Sequence, residues 1–264
     1  MERVCKKYFV DEPVLGFDLE WLAYARKGSG ARDNVSLIQM ASPGHIGLFH
    51  VAVFEKEGDF VAPTFKEIME NSNIKKVGVH IQADCTRVRN YLGVQSKGVF
   101  ELSHLFKVVK YTGKQQRLIN KVPVALATQV QEILGLPMYK EPSVRSSNWS
   151  KALNEAQLKY SAADAYAGLQ LYYVLEQARL DLDPTPPRPY NTELGLPIPV
   201  LEVQSSDEEA SESGVESLSD SESGQESIPK KKTESAKTEL SNRDDRILKA
   251  EAQAAAYRSS KKSA

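Results

Sequence analysis

The sequence predicts an α/β or α+β domain built on one β-sheet. Strand-length segments of aliphatic, β-branched and aromatic residues dominate residues 14–54 and return at 75–81. Segments with the apolar spacing of helices dominate the chain from residue 83 to residue 180. Strands that come first and helices that follow are typical of helices packed on a single sheet.

The first predicted strand is VLGFDLEW at residues 14–21, and Pro13 before it is a natural strand entry. VSLIQMAS at 35–42 and HIGLFHVAVF at 45–54 are the next two, joined by the turn residues SPGH. Short connections between three consecutive strands indicate an antiparallel meander. KKVGVHI at 75–81 is predicted as a fourth, short strand.

Five segments have the apolar periodicity of helices, and Gly135 suits the C-cap of the fourth. They are PTFKEIMENS at 63–72, ADCTRVRNYL at 83–92, ELSHLFKVVKY at 101–111, VALATQVQEIL at 124–134, and the longest at about 154–180.

The composition changes after residue 180. Repeated prolines in residues 181–203 disfavour helix and predict an extended linker, so we place the domain boundary there. Residues 204–241 begin with an acidic stretch without aromatic residues and are predicted to be disordered. Residues 242–264 are rich in helix formers, but a lone helix of that length is marginal in water, so we expect it to fold against a protein partner.

Charge is distributed unevenly along the chain. Residues 1–203 hold 24 basic and 22 acidic residues, 204–228 hold eight acidic and no basic ones, and 229–264 hold ten basic and five acidic ones. The short lysine run PKKK at 229–232 is a weak nuclear-import pattern, which leads us to expect a nuclear location.

Cysteine content and hydropathy limit the class of protein. Cys5 and Cys85 are too few for a disulfide framework or a zinc site, and no N-terminal apolar run resembles a signal peptide. These features favour an intracellular compartment. No segment of about 18 uncharged apolar residues is present, which argues against a membrane span.

Two carboxylates interrupt the first strand. Because side chains alternate across a strand, Asp18 and Glu20 point to the same face, about 7 Å apart. Burying two like charges costs several kcal/mol for each uncompensated ion, so a cation is expected between them. The alternative is the solvated face of an edge strand.

Three more polar residues are candidates for the same site. Asp84 stands where the fourth strand ends and a helix begins, with a simple N-cap as the alternative. Tyr160 and Asp164 are four residues apart and therefore lie on one side of the longest helix, with a solvated helix face as the alternative. Small residues surround this pair and would let the helix backbone lie close to the sheet: Ser161, Ala162, Ala163, Ala165, Ala167 and Gly168.

Taken in order, these motifs closely resemble the RNase D-like 3'-5' exonuclease domain of the DEDD type with tyrosine, and within it the Werner-syndrome-type group and its fungal relatives. The matching segments are GFDLEW, VSLIQMA, KVGVHIQADCTRVRNYLGV, FELSHL and VRSSNWSKALNEAQLKYSAADAYAGLQLY, which together cover roughly residues 14–176. The resemblance implies an RNase H-like mixed sheet flanked by helices, and assigns residues 1–180 to the exonuclease domain. Such domains usually carry more chain before the first motif, so we expect a truncated start.

The resemblance also implies site roles. Asp18, Glu20, Asp84 and Asp164 would hold two divalent cations, Mg²⁺ or Mn²⁺, and Tyr160 would hold the attacking water. Hard cations of this kind prefer carboxylate oxygens, and a pair of them suits phosphodiester hydrolysis. All five residues are present, which argues against a scaffold that binds nucleic acid without cutting it.

The leading hypothesis is a DNA-cleaving 3'-5' exonuclease with a role in DNA repair, and the main alternative is an exoribonuclease. Without the four site acids, residues 1–203 hold 24 basic and 18 acidic residues, the sign expected around an anionic polymer. Arg145 is a candidate phosphate contact, with a surface or capping role as the alternative. Trp21 and Trp149 are candidate base contacts, with packing as the alternative.

Overall fold

The structure is a computed structural model that describes residues 1–138 and 142–201. A five-stranded mixed sheet forms its centre, in the order β3-β2-β1-β4-β5. β1 pairs antiparallel with β2 and β2 with β3, whereas β4 pairs parallel with both β1 and β5. The strands are β1 Val14–Glu20, β2 Leu37–Ser42, β3 His45–Phe49, β4 Lys75–Gly78 and β5 Val99–Glu101. The predicted meander and the mixed RNase H-like sheet are both confirmed.

Eight helices flank this sheet in the described residues. They are α1 Glu2–Tyr8, α2 Gly30–Asn34, α3 Pro63–Glu70, α4 Ile81–Leu92, α5 Leu102–Tyr111, α6 Leu126–Ile133, α7 Pro142–Arg145 and α8 Glu155–Leu180. No helix in residues 1–138 or 142–201 combines the length and apolarity that crossing a membrane would need.

The two faces of β1 contact different parts of the molecule. Leu15, Phe17 and Leu19 point into an apolar cluster that also contains residues of α1, α3 and α4. The alternate residues therefore face α8, where a Cβ at Gly16 would lie only 2.0 Å from the carbonyl oxygen of Ala165. The helix backbone thus lies directly on the strand, as the small residues around Asp164 predict.

Local boundaries differ from the predictions in several places. Residues 51–53 form a 3₁₀ turn and not the end of a strand, and β4 ends at Gly78. Helix α1 was not predicted. Strand β5 was not predicted either, and it directly precedes the helix predicted at 101–111. A three-residue strand is too short to show periodicity, and β5 exists because it pairs with β4.

The segment predicted as a linker lies against the domain as far as the structure describes it. Glu193 accepts hydrogen bonds from the backbone N–H groups of Gly98 and Val99, at 2.6 Å and 3.1 Å, beside strand β5. Arg188 pairs with Glu176 of α8. The predictions for 204–241 and 242–264 fall outside the described residues.

Candidate active site

Three carboxylates meet where β1 and α8 cross. One carboxylate oxygen from each of Asp18, Glu20 and Asp164 lies within 4.8 Å of the others. Asp18 and Glu20 share the face of β1 that α8 covers, and Asp164 is one residue before Ala165, which contacts Gly16. Glu20 and Asp164 are only 8% and 7% exposed, and β1 is the central strand, so the edge-strand alternative is wrong.

Asp84 adjoins this cluster without belonging to the three that meet within 4.8 Å. Helix α4 begins at Ile81, with His80 as its N-cap, so Asp84 lies in the first turn and the N-cap alternative is wrong. Its side chain is buried together with Ile81, Cys85 and Val88, which form the inward face of the helix. In this position its carboxylate is repelled by the negative charges of Asp18 and Glu101.

Burial and mutual repulsion disfavour the ionised forms of these carboxylates in the absence of a cation. Burial, followed by the charges of Asp18, Asp164 and Asp84, raises the pKa of Glu20 to about 10, although Arg145 opposes the shift. Burial, Asp18 and Glu101 likewise raise the pKa of Asp84 well above its ordinary value, opposed by Arg87. A cation that entered this site would stabilise the ionised forms.

The donor set fits a hard divalent ion. Carboxylate oxygens are the preferred ligands of Mg²⁺ and Mn²⁺, and the three closest donors are all carboxylates. Asp18, Glu20 and Asp164 are thus the residues that would hold such an ion, and Asp84 lies beside them.

Tyr160 lies one helical turn before Asp164 and is hydrogen-bonded to its carboxylate. Burial and the charges of Asp164, Glu20 and Asp18 raise the pKa of the Tyr160 hydroxyl, so it stays protonated near neutral pH. Its ring packs against Trp149, with the ring centroids 6.1 Å apart. The hydroxyl is therefore a fixed hydrogen-bonding group at the edge of the carboxylate cluster.

The start of α8 is held to the loop before it. Asn154 and Gln157 form a capping box, with hydrogen bonds of 2.9 Å and 3.0 Å. The Gln157 amide also donates to Ser147 Oγ at 2.9 Å and to the carbonyl of Asn148 at 3.1 Å. These contacts fix the turn of helix on which Tyr160 stands.

The three predicted substrate contacts differ in position. Arg145 ends α7, is exposed, and is near enough to Glu20 to influence its charge. Trp149 is fully buried and donates from Nε1 to the carbonyl of Arg145 at 3.1 Å, which fits the packing alternative and not a base contact. Trp21 is half-buried, and the Arg87 guanidinium lies 4.1 Å from the centre of its ring.

Sequence reasoning missed Gln39, a fully buried residue opposite Asp18 in β2. In the amide orientation that satisfies its neighbours, Nε2 donates to Asp18 Oδ2 at 3.2 Å and to the carbonyl of Ser161 at 3.0 Å. Gln39 thus ties the β1 carboxylate to α8. A single amide within the apolar run VSLIQMAS was the available signal, because buried amides need partners.

Comparisons with known proteins identify related sequences and related folds. The bifunctional 3'-5' exonuclease/ATP-dependent helicase WRN of Mus musculus is 33% identical over 168 residues, a match that covers 62% of this chain and 11% of that protein. The crystal structure of the Aedes aegypti Nibbler EXO domain superposes with a TM-score of 0.53 at 22% identity, covering 69% of this chain and 84% of that one. Trypanosoma brucei RNase D in complex with RNA U12 gives a TM-score of 0.53 at 18% identity, covering 70% of this chain and 62% of that one. The model of a 3'-5' exonuclease family matches residues 1–178, and the chain therefore belongs to the 3'-5' exonuclease family.

Proposed function

We propose that this protein removes nucleoside 5'-monophosphates from the 3' end of DNA and uses two divalent cations, Mg²⁺ or Mn²⁺. One observation carries the proposal: three carboxylates, two buried and one half-buried, meet within 4.8 Å beside a tyrosine hydroxyl that stays protonated. Asp18, Glu20 and Asp164, with Asp84 beside them, would hold the cations. When bound, the ions supply water activation, charge neutralisation on the phosphate and stabilisation of the leaving 3'-oxygen.

The side chains of the protein orient the reactants. Because the Tyr160 hydroxyl stays protonated and donates to Asp164, it can position a water by accepting a hydrogen bond from it but cannot act as a base near neutral pH. Its hydrogen bond to Asp164 and its packing against Trp149 fix the direction of that contact. Gln39, on the neighbouring strand β2, restrains Asp18 through its hydrogen bond to Asp18 Oδ2.

DNA as the substrate is supported by the closer likeness to the Werner-type group, since the WRN protein is 33% identical and the RNase D structure 18% identical. RNA is the second candidate, because the RNase D structure, which shares the fold, is a complex with RNA. Both substrates present the same scissile phosphodiester to the carboxylates, so the two candidates share the same chemistry.

The decisive experiment uses the full chain with 5'-labelled DNA and RNA of one sequence, as single strands and as duplexes with a recessed 3' end. Reactions contain Mg²⁺, Mn²⁺ or chelator, and Asp18→Ala is the control. We expect a metal-dependent ladder that shortens from the 3' end, and its loss in Asp18→Ala. Chromatography should identify nucleoside 5'-monophosphates as the products.

Each element of the proposal has its own contrary result. Faster digestion of RNA than of matched DNA would reassign the substrate. Internal cuts, or activity in chelator, would contradict the exonuclease mechanism. An intact substrate with folded wild-type protein under all conditions would leave the scaffold alternative standing.

A nuclear location and a role in DNA repair extend the proposal, and they rest on the lysine run at 229–232 and on the preference for DNA. Microscopy of the tagged full chain, with and without replacement of Lys230, Lys231 and Lys232 by alanine, tests the location. A protein partner for residues 242–264 is a separate proposal, testable by comparing pull-downs of the chain with and without that segment.

A further inference from the structure

A cleft of about 710 Å³ lies at the carboxyl ends of the parallel strands β1, β4 and β5. Trp21 follows β1, His80 follows β4, and Glu101 ends β5, and all three line the cleft. The ends of parallel strands are where α/β sheets commonly bind ligands, and the volume lies in the range of ~300–1,000 Å³ typical of ligand pockets. The cleft adjoins the active site, because Trp21 follows Glu20 and because Glu101 interacts with Asp84.

The opposite wall of the cleft comes from residues 190–198, which lie beyond the segment matched by the exonuclease family. We call residues 184–201 the strap. Glu193 anchors it to the N–H groups of Gly98 and Val99, and the Thr192 hydroxyl donates to Gln82 Oε1 of α4 at 2.6 Å. Lys121 donates to the carbonyl of Gly195 at 3.1 Å. The strap is therefore held in place along the rim of the cleft.

Covering the edge of β5 does not by itself explain the side chains that the strap presents. Tyr190 and Leu196 line the cleft and remain 47% and 46% exposed, so they add little to the core. Large half-exposed apolar side chains around a cleft are typical of a binding surface. The same cleft is lined by the aromatic ring of Trp21 and by Arg87, whose guanidinium lies against that ring.

The charge of the lining favours an anionic ligand. Arg87 and Lys121 contribute cationic side chains, and Glu101 is the acidic residue among the lining groups. Cationic groups combined with aromatic and apolar surfaces are the combination by which proteins hold single-stranded nucleic acid, through the backbone charge and base stacking. This lining adjoins the carboxylates through Trp21, the residue after Glu20, and through Glu101, whose charge acts on Asp84.

We propose that the strap forms one wall of a binding site for a single-stranded segment of the nucleic acid substrate, next to the nucleotide whose phosphate meets the carboxylates. This inference rests on the proposed function, since it assigns that substrate a second contact surface. Tyr190 and Leu196 would contact bases from one side, with Trp21 on the other. Lys121 would contact the backbone and also hold the strap.

The test measures binding and hydrolysis separately, with the full chain. The variants are Tyr190→Ala, Leu196→Ala and, as a matched control, Leu194→Ala, which removes a strap side chain that is 56% exposed and does not line the cleft. Fluorescence anisotropy in chelator gives the Kd for labelled ten-nucleotide single strands of DNA and of RNA. Steady-state kinetics in Mg²⁺ give kcat and KM for the same strands and for a dinucleotide, and melting temperatures check folding.

Loss of one stacking contact should weaken binding of the better ten-nucleotide ligand roughly five- to tenfold in Tyr190→Ala, and less in Leu196→Ala. We expect KM to rise by a similar factor while kcat and dinucleotide hydrolysis stay within twofold of wild type. Leu194→Ala should match wild type throughout.

Equal Kd values for Tyr190→Ala, Leu196→Ala and Leu194→Ala would overturn the inference and leave the strap as a cover for the sheet edge. A fall in kcat on the dinucleotide would also overturn it, since it would indicate damage to the carboxylate site. Failure of the proposed function has a different signature: the wild type would cut neither polymer, while the anisotropy measurement would still report whether the strap binds nucleic acid.

Discussion

Helix α8 carries two buried carboxylates in opposite electrostatic surroundings. Asp164 joins Asp18 and Glu20 within 4.8 Å, in a cluster where burial and neighbouring carboxylates raise the pKa of Glu20 to about 10. Twelve residues later, Glu176 is also buried, and burial alone would raise its pKa. Hydrogen bonds from Arg179 and Arg188 outweigh that effect and lower it.

The difference separates a structural charge from a functional one. At Glu176 the chain provides its own cations, and the arginines tie the end of α8 to the strap, where Arg179 also donates to the carbonyl of Pro186. At the carboxylate cluster, Arg145 and Arg87 oppose the shifts but do not reverse them. The fold therefore gathers carboxylates whose ionised forms the chain does not fully compensate and that metal ions from solution would stabilise.

The largest effect should come from neutralising a carboxylate of the cluster. Asp164→Asn keeps the shape of the side chain but removes a charge from the metal site, so we expect kcat to fall by about 10³-fold or more, equivalent to about 4 kcal/mol of transition-state stabilisation. Glu176→Gln is the matched control on the same helix and should keep kcat within about twofold. Comparable kcat values for the two folded variants would show that Asp164 is no more important for catalysis than Glu176.

The next effect concerns stability and not turnover. Glu176→Ala leaves Arg179, only 6% exposed, without its carboxylate partner, and we expect a loss of about 3 kcal/mol in the free energy of unfolding, measured in urea. The double variant Glu176→Met, Arg179→Met should recover most of that loss, because it removes both buried charges. A single variant as stable as wild type would show that the ion pair contributes little.

A smaller effect is expected at the tyrosine. Tyr160→Phe keeps the ring that packs against Trp149 but removes the hydroxyl, so turnover should fall roughly 10- to 100-fold while the fold and metal binding persist. Single-turnover kinetics measure the turnover rate, and the melting-temperature increase on adding Mn²⁺ measures metal binding. An unchanged turnover rate would refute the orienting role of the hydroxyl.

The smallest effect is the pH dependence of the metal-free protein. Because the folded-state pKa of Glu20, about 10, exceeds its ordinary value of 4.5, the folded state holds this proton more tightly than the unfolded state. The resulting stabilisation is present in full below about pH 4.5 and is lost as pH rises toward 10. In chelator, wild type should therefore lose stability relative to Glu20→Gln as pH rises from 6 to 9.

Denaturation of the two proteins at several pH values, with and without Mg²⁺, measures that difference. Mg²⁺ should stabilise wild type more than Glu20→Gln, and more strongly at higher pH, since metal ligands must be deprotonated. A pH-independent difference in chelator would show that Glu20 does not titrate in this range.

Much of the carboxylate site could be predicted because it follows from local geometry. Alternation along β1 places Asp18 and Glu20 on one face, and the helical repeat places Tyr160 and Asp164 on one side of α8. The small residues around Asp164 predict the close helix that the contact of Gly16 with Ala165 shows. The placement of Asp84 was less accurate, because α4 begins two residues earlier than its pattern indicates.

Other features depended on contacts between distant parts of the chain. β5 has three residues and exists through pairing with β4, and α1 forms against α3 and the core around Phe9. Trp149 could be read as a base contact or as core until its packing against Tyr160 placed it in the interior. The strap carries the composition of a linker, yet its polar groups find partners on β5 and α4.

The sequence by itself determined the chemistry of this protein: four acids and a tyrosine, in an order and spacing that fit one strand, the start of one helix and one face of another. Strand and helix periodicity are local properties, so they can be read from neighbouring residues alone. The tertiary structure decided which of those acids meet within 4.8 Å, which amide restrains Asp18, and what closes the cleft beside them. Those outcomes depend on the packing of α8 and the strap against the sheet, and local periodicity does not specify which side chains of such distant segments come into contact.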